Sequence, residues 1–140
     1  MKKNKISKNW INRQRRDVYV RKSKIEGYRS RAVYKLEEIN QKFKIFHNGV
    51  SVLDLGAAPG SWTQYISKNY KNIKLAAIDL NKFDDVEKTF QITGDFTENI
   101  YKQKILNFFQ GKIDIIISDM AVNTTGNKNL DSIQTSELCL

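Results

Sequence analysis

Residues 54 to 60 read Asp-Leu-Gly-Ala-Ala-Pro-Gly, and three further aspartates, Asp79, Asp95 and Asp119, follow at intervals behind them. Gly56 and Gly60 allow a sharp turn and leave room for a ligand against the main chain. A helix starting near Ser61 would aim its free N–H groups at that ligand. A carboxylate 23 residues past Gly56, at Asp79, lies at the spacing at which ribose hydroxyls are held. A single acid after a strand is an ordinary turn residue or cap. Three acids, each after a different strand and beside a glycine loop, describe a nucleoside-type site.

The glycine spacing narrows the ligand. Dinucleotide sites use Gly-x-Gly-x-x-Gly, and a Walker loop ends in Gly-Lys-Ser/Thr. This chain has Gly-x-x-x-Gly with Pro59 inside and no lysine following. A pyrophosphate cradle is therefore missing. A nucleoside carrying a smaller anion, such as an amino-acid carboxylate, fits better, and S-adenosylmethionine is such a molecule. NAD is the alternative left open.

The elements that must position these residues follow from periodicity. Apolar runs at Val50–Leu55, Ile73–Asp79, Phe90–Thr93 and Ile113–Ser118 read as strands. The last is apolar nearly throughout, as a strand buried on both faces is. Trp62, Tyr65 and Ile66 mark the inner face of a helix after the first strand, and Ile105, Leu106 and Phe109 that of a helix over 98–109. Ala32, Leu36, Ile39 and Phe43 give an earlier helix one buried stripe, with Ser30 as its N-cap and Lys35 off the stripe. A helix is also expected from Asp131 or Ser132. Alternating strands and helices predict an α/β, doubly wound, Rossmann-like sheet. The candidate site lies at the C-terminal ends of its strands.

The 140 residues carry a net charge of +9 with 40% hydrophobic composition. Residues 1–31 hold twelve Lys and Arg against only Asp17 and Glu26, whereas the remainder is nearly neutral. We therefore expect two parts, a basic extension over 1–31 and a nearly neutral domain over 32–140. The basic part points to a polyanion, nucleic acid first. Arg13, Arg15, Arg16, Arg21, Arg29 and Arg31, interleaved with Tyr19 and Tyr28, suit phosphate gripping and base stacking. Residues 1–12 read as loosely attached and Asp17–Lys24 as a short helix ended by Gly27. The lone Cys139 makes no intrachain disulfide or cysteine metal site. No metal and no membrane segment are expected, and a cytoplasmic location is.

Three strings add a specific likeness. Tyr28 to Ile39 reads Tyr-Arg-Ser-Arg-Ala-Val-Tyr-Lys-Leu-Glu-Glu-Ile, Asp54 to Trp62 reads Asp-Leu-Gly-Ala-Ala-Pro-Gly-Ser-Trp, and Ser118 to Asn123 reads Ser-Asp-Met-Ala-Val-Asn. In order and spacing they resemble the FtsJ/RrmJ family of ribosomal RNA 2′-O-methyltransferases. The resemblance implies a class I methyltransferase fold, S-adenosylmethionine as cofactor, and ribosomal RNA of the large subunit as substrate and partner, with uridine the modified nucleotide. It also implies roles. Gly56 would belong to the cofactor site, Gly60 and Trp62 would line the methionine side of the cofactor, Asp79 would hold the ribose hydroxyls, and Asp95 would accept from the adenine amino group. Asp119 would lie near the sulfonium and the target ribose.

The family's catalytic set is Lys-Asp-Lys-Glu, and Lys35 and Asp119 fall at its first two positions. The other two belong to elements after the fourth strand, which this sequence does not reach. About four of seven strands are expected here. The chain thus reads as the N-terminal part of a longer enzyme, as a shortened relative, or as a remnant that binds RNA and the cofactor without catalysis. Ser61 and Val122 stand where the family has Gly and Pro.

Overall fold

A computed structural model describes residues 2–120, with side chains from Lys8 onward. The chain divides into two compact units, Met1–Ile45 and Phe46–Leu140.

The first unit is a pair of helices. Helix α1 spans Lys2–Glu26 as one continuous element. Residues 1–12 read from sequence as loosely attached; from Lys2 onward they are helical instead. Lys, Arg, Gln and Asn dominate this stretch, and no Gly or Pro interrupts it before Gly27. The missing apolar stripe concealed the helix, because periodicity detects only helices that bury a face. At its end Gly27 takes φ +79°, while the Tyr28 N–H donates to the Ser23 carbonyl and the Gly27 N–H to the Lys24 carbonyl. These are the two paired bonds of a glycine-terminated helix.

Helix α2 covers Val33–Phe43. Ser30 is not its N-cap; Ala32 is, in helical conformation, while the Ser30 hydroxyl accepts the Ala32 N–H at 3.3 Å. Val33 and Leu36 are buried and Lys35 is exposed. The two helices of this unit meet at Tyr34. Its hydroxyl donates to Glu26 at 2.9 Å, the Lys22 ammonium lies 4.6 Å above its ring, and the Tyr19 and Tyr28 rings pack at 5.5 and 6.4 Å. Burial, with the Glu26 carboxylate beside it, holds the Tyr34 phenol well above its ordinary range.

The second unit is a parallel sheet in the order β3-β2-β1-β4, from β1 (Ser51–Leu55), β2 (Lys74–Asp79), β3 (Thr89–Thr93) and β4 (Ile115–Ser118). Helix α3 (Ser61–Asn69) joins β1 to β2, and α4 (Asn99–Phe109) joins β3 to β4. The β2–β3 connection contains no helix; its loop is tied down by Gln91, whose side chain accepts the Val86 N–H and donates to the Asp84 carbonyl.

Register and alternation assign the two faces. Leu53 pairs with Ala76 and Ile116, and Leu55 with Ile78 and Ser118. With Ile92, Ile105 and Phe109 the buried members of these rows form the core beneath α4. The opposite face carries Val52 and Asp54 beside Leu75 and Ala77. Both edges of β1 are therefore occupied, and its C-terminal end opens at the centre of the sheet.

The strands and helices expected from residue 33 onward are present, with ends displaced by one or two residues. The helix expected from Asp131, and residues Val122 and Asn123, lie outside the described residues. Among the described residues no helix is long and apolar enough to cross a membrane.

Candidate cofactor site

The sheet order puts the ends of β1, β2 and β3 side by side, and a cleft of about 470 Å³ opens there. Its walls include Gly56, Asp79, Leu80, Asn81, Gly94, Asp95, Phe96, Thr97 and Met120. Three of the residues singled out from sequence, Gly56, Asp79 and Asp95, are thus brought together.

Gly56 leaves β1 at φ +68°, a conformation other residues adopt only with strain. Its N–H and that of Ala57 both donate to the Ile78 carbonyl, which folds the loop back over β2. A Cβ at Gly56 would run into the Met120 side chain, so only glycine leaves the floor of the cleft flat. The loop continues through a cis Ala58–Pro59 peptide to Gly60, which begins α3 at φ +107°. Gly94 is constrained likewise, because a Cβ there would strike the Tyr101 ring.

Asp79 is held by the loop it faces. One carboxylate oxygen accepts the Ala58 N–H at 3.0 Å and the other the Asn81 N–H at 2.8 Å. Each oxygen keeps acceptor capacity for a ligand hydroxyl. Asp95 differs. A single oxygen, Oδ1, accepts both the Thr97 N–H at 2.9 Å and the Thr97 hydroxyl at 2.6 Å. Those two bonds hold its carboxyl below the usual carboxylate range and leave its second oxygen for a ligand donor.

The other sequence candidates take different places. Gly60 caps α3, and Trp62 in the first turn of that helix is only 7% exposed; neither is among the walls of the cleft. Asp119 follows β4 and is exposed, next to the wall residue Met120. Lys35 is exposed on α2, within the first unit. Arg13, Arg15, Arg16, Arg21 and Arg31 are exposed and Arg29 is half-buried.

Sequence reasoning passed over Asp54 as the first letter of the loop string. Its side chain is 1% exposed on the α3 face, where its Oδ2 accepts the hydroxyl of fully buried Thr63 at 2.7 Å. Burial pushes its carboxyl from 3.8 up to about 7; Thr63 opposes this, and Asp119 and Asp79 reinforce it. An acid raised in this way keeps its proton in the folded chain after the unfolded chain has lost it. Its contribution to stability is therefore fullest at and below pH 4, falls as pH rises towards 7, and is level above that. We expect the parent chain to lose on the order of 2–4 kcal/mol between pH 5 and pH 8, and Asp54→Asn to lose little of it. Urea unfolding at the two pH values checks this, and an equal loss in both chains contradicts it. Met120 and Thr97 were also missed. The signal for each was adjacency, one residue after Asp119 and two after Asp95.

Among the described residues no group of three or more His, Cys, Asp or Glu could hold a metal ion. The arrangement offers acceptors for a diol at Asp79, with an acceptor at Asp95 on one side of it and the flat Gly56 floor on the other. These match the ribose and base of a nucleoside.

Comparison with known proteins agrees with the geometry. A family model described as FtsJ-like methyltransferase matches residues 28–140. The protein named ribosomal RNA large subunit methyltransferase E from Pelagibacter ubique is 58% identical over 140 residues, which is all of this chain and 69% of that protein. A protein of the same name from Rickettsia akari is 46% identical over 139 residues, 95% of this chain and 61% of its own length. The crystal structure of a Plasmodium falciparum chain assigned as a ribosomal RNA methyltransferase superposes with a TM-score of 0.63 at 38% identity, covering 79% of this chain and 66% of that one. The chain thus spans roughly two thirds of the length of the relatives it matches.

Proposed function

Because this chain belongs to the FtsJ-like methyltransferase family, we propose that it transfers a methyl group from S-adenosylmethionine to a ribose 2′-hydroxyl of large-subunit ribosomal RNA. The observation that carries the cofactor half of this reading is the Gly56 cleft with Asp79 on its wall. Both Asp79 oxygens are oriented by backbone donors and both retain acceptor capacity for a diol.

The bound cofactor supplies an electrophilic methyl on a sulfonium. Asp79 holds the ribose hydroxyls and Asp95 accepts from the adenine amino group. The glycine loop brings the methionine part against the main chain at the start of α3. Asp119, past the end of β4, would lie near the sulfonium and the acceptor ribose. Lys35 acts on the acceptor, stabilising by charge the oxyanion that develops as the 2′-hydroxyl proton passes to water; the oxygen takes the methyl and the sulfonium would leave as a neutral thioether. What remains is in-line placement of oxygen, methyl carbon and sulfur.

The basic N-terminal part grips the RNA. Arg13, Arg15, Arg16 and Arg21 sit on α1, and Arg29 and Arg31 precede α2. The partner is ribosomal RNA or the large ribosomal subunit in the cytoplasm. Changing Arg13, Arg15, Arg16 and Arg21 together to glutamine keeps helix propensity while removing charge. Each phosphate that a basic side chain neutralises on a single strand adds about 0.7 to the slope of log affinity against log salt, so the slope should fall by about three. Filter binding over a salt series measures it, and an unchanged slope removes α1 from the RNA interface.

Calorimetric titration with S-adenosylhomocysteine and with NAD tests the cofactor reading. Saturable binding of the former alone is expected; binding of NAD alone contradicts it.

A further inference from the structure

The strand register places more than a nucleoside cradle at the end of β1. Asp54 pairs with Ala77 of β2 on one side and Ile117 of β4 on the other. Two residues beyond each partner come Asp79 and Asp119, and two residues beyond Asp54 itself comes Gly56. Successive even steps along neighbouring parallel strands return to the same face. That holds for Asp54 and Asp79, within their strands; Gly56 turns out of β1 at φ +68° and Asp119 lies past β4, so an acid stands on each side of Gly56 in the order of the strand ends, with Asp54 buried two residues before it in β1. Both flanking acids act electrostatically on Asp54.

Asp54 accepts the hydroxyl of Thr63, in the first turn of α3. Its lateral neighbours Ala77 and Ile117 are apolar and buried. The ionisable groups that bear on it are therefore Asp79, from the end of β2, and Asp119, from beyond β4, while α3 contributes the Thr63 hydroxyl. Below about pH 7 a buried carboxyl in this setting keeps its proton unless positive charge arrives nearby.

Resting on the methyltransferase reading above, we propose that Asp54 makes the cleft sense ligand charge: it yields its proton to solvent when the ligand beside Gly56 is a cationic sulfonium, and keeps it when the ligand is a neutral thioether. Asp54 is in this sense a specificity-determining and positioning residue, acting through Thr63 and the loop rather than by contact with the reacting atoms. Its effect is to favour the charged substrate over the uncharged product. The carboxylate is common to both ligands, whereas the sulfonium also makes the α-ammonium of its own ligand more acidic, so only the part of the pH dependence that Asp54→Asn removes is assigned to Asp54.

The sign follows from linkage. A ligand that stabilises the Asp54 carboxylate binds more tightly as pH rises through the value at which Asp54 ionises, and proton release accompanies binding below and through that pH.

The test is calorimetry with S-adenosylmethionine and S-adenosylhomocysteine from pH 5.5 to 8.5, in buffers of differing ionisation enthalpy. In the parent chain the preference for the sulfonium ligand should grow by roughly three- to tenfold between pH 6 and pH 8. Proton release should accompany that ligand only. Asp54→Asn should flatten the preference and abolish the release. Thr63→Val, which removes the bond that favours the carboxylate, should move the midpoint to higher pH, and Asp119→Asn should move it lower. Binding of both ligands with a pH-independent ratio overturns this inference and leaves the methyltransferase reading standing. A pH-dependent ratio that persists in Asp54→Asn, or a midpoint unmoved by Thr63→Val, also overturns it. Binding of neither ligand at any pH overturns the functional reading and this inference with it.

Discussion

Lys35→Ala is expected to reduce methyl transfer by about 10²- to 10⁴-fold, the range supplied by a positioned acid–base group. Affinity for S-adenosylmethionine should stay within about twofold, as it must if Lys35 serves only the acceptor. A ribose hydroxyl attacks poorly until its proton is leaving. A lysine beside it stabilises the oxyanion by charge, and arginine or methionine at the same position would misplace or abolish that charge. Val33 and Leu36 are buried on either side in sequence, so the helix is fixed while the Lys35 side chain is exposed. Asp119→Ala should abolish transfer to a similar degree. The two variants should differ in binding, because Asp119 is proposed to lie at the sulfonium and its loss should also weaken the charged cofactor. Single-turnover transfer combined with calorimetry separates the two. Equal losses of cofactor affinity in both would contradict the division of roles.

Asp79→Ala should raise the dissociation constant for S-adenosylhomocysteine by about 10²-fold or more. Two hydrogen bonds from ribose hydroxyls to an ionised acceptor are at stake, each worth about 1.5–3 kcal/mol. The carboxylate is already aligned by the Ala58 and Asn81 N–H groups, so little is spent in orienting it for a ligand. Asp79→Asn should fare little better. The asparagine amide offers one acceptor oxygen where two backbone N–H donors arrive, so one donor loses its partner and the loop shifts. Asp95 should matter less, since it is proposed to accept one ligand donor, through the oxygen that Thr97 does not engage, where Asp79 accepts two. Calorimetry on the three variants orders them; an Asp95→Ala loss exceeding that of Asp79→Ala would contradict the assignment.

The parts of this chain that bury apolar rows could be read without a structure. Val52, Leu53 and Leu55, or Ile115 to Ile117, admit few alternatives to strands, and glycine at 56 and 60 marks the turn they require; the expectation that β4 is buried on both faces is not met, because only Ile117 is buried and Ile116 is 44% exposed. The acids at 79, 95 and 119 were findable because each directly follows such a row. Of helix α1 only the stretch over Asp17–Lys24 was findable; the rest was not, since the helix has no continuous buried stripe and Trp10, Ile11, Val18, Tyr19 and Ile25 are exposed. The environment of Asp54 was equally hidden. Alternation along β1 says which face it occupies, but the hydroxyl opposite comes from Thr63, nine residues on, through a turn whose path no periodicity specifies. Met120 against Gly56 is a contact between the ends of two adjacent strands and becomes visible only once their order is known.

The most direct measurement is transfer of labelled methyl from S-adenosylmethionine to large-subunit ribosomal RNA by this chain, followed by alkaline hydrolysis. A methyl on a ribose 2′-oxygen removes the nucleophile that cleaves the adjacent phosphodiester, so the label should emerge in alkali-resistant dinucleotides, and Asp119→Ala should abolish it. Label recovered on bases, or no transfer by chain that binds both cofactor and RNA, would contradict the account.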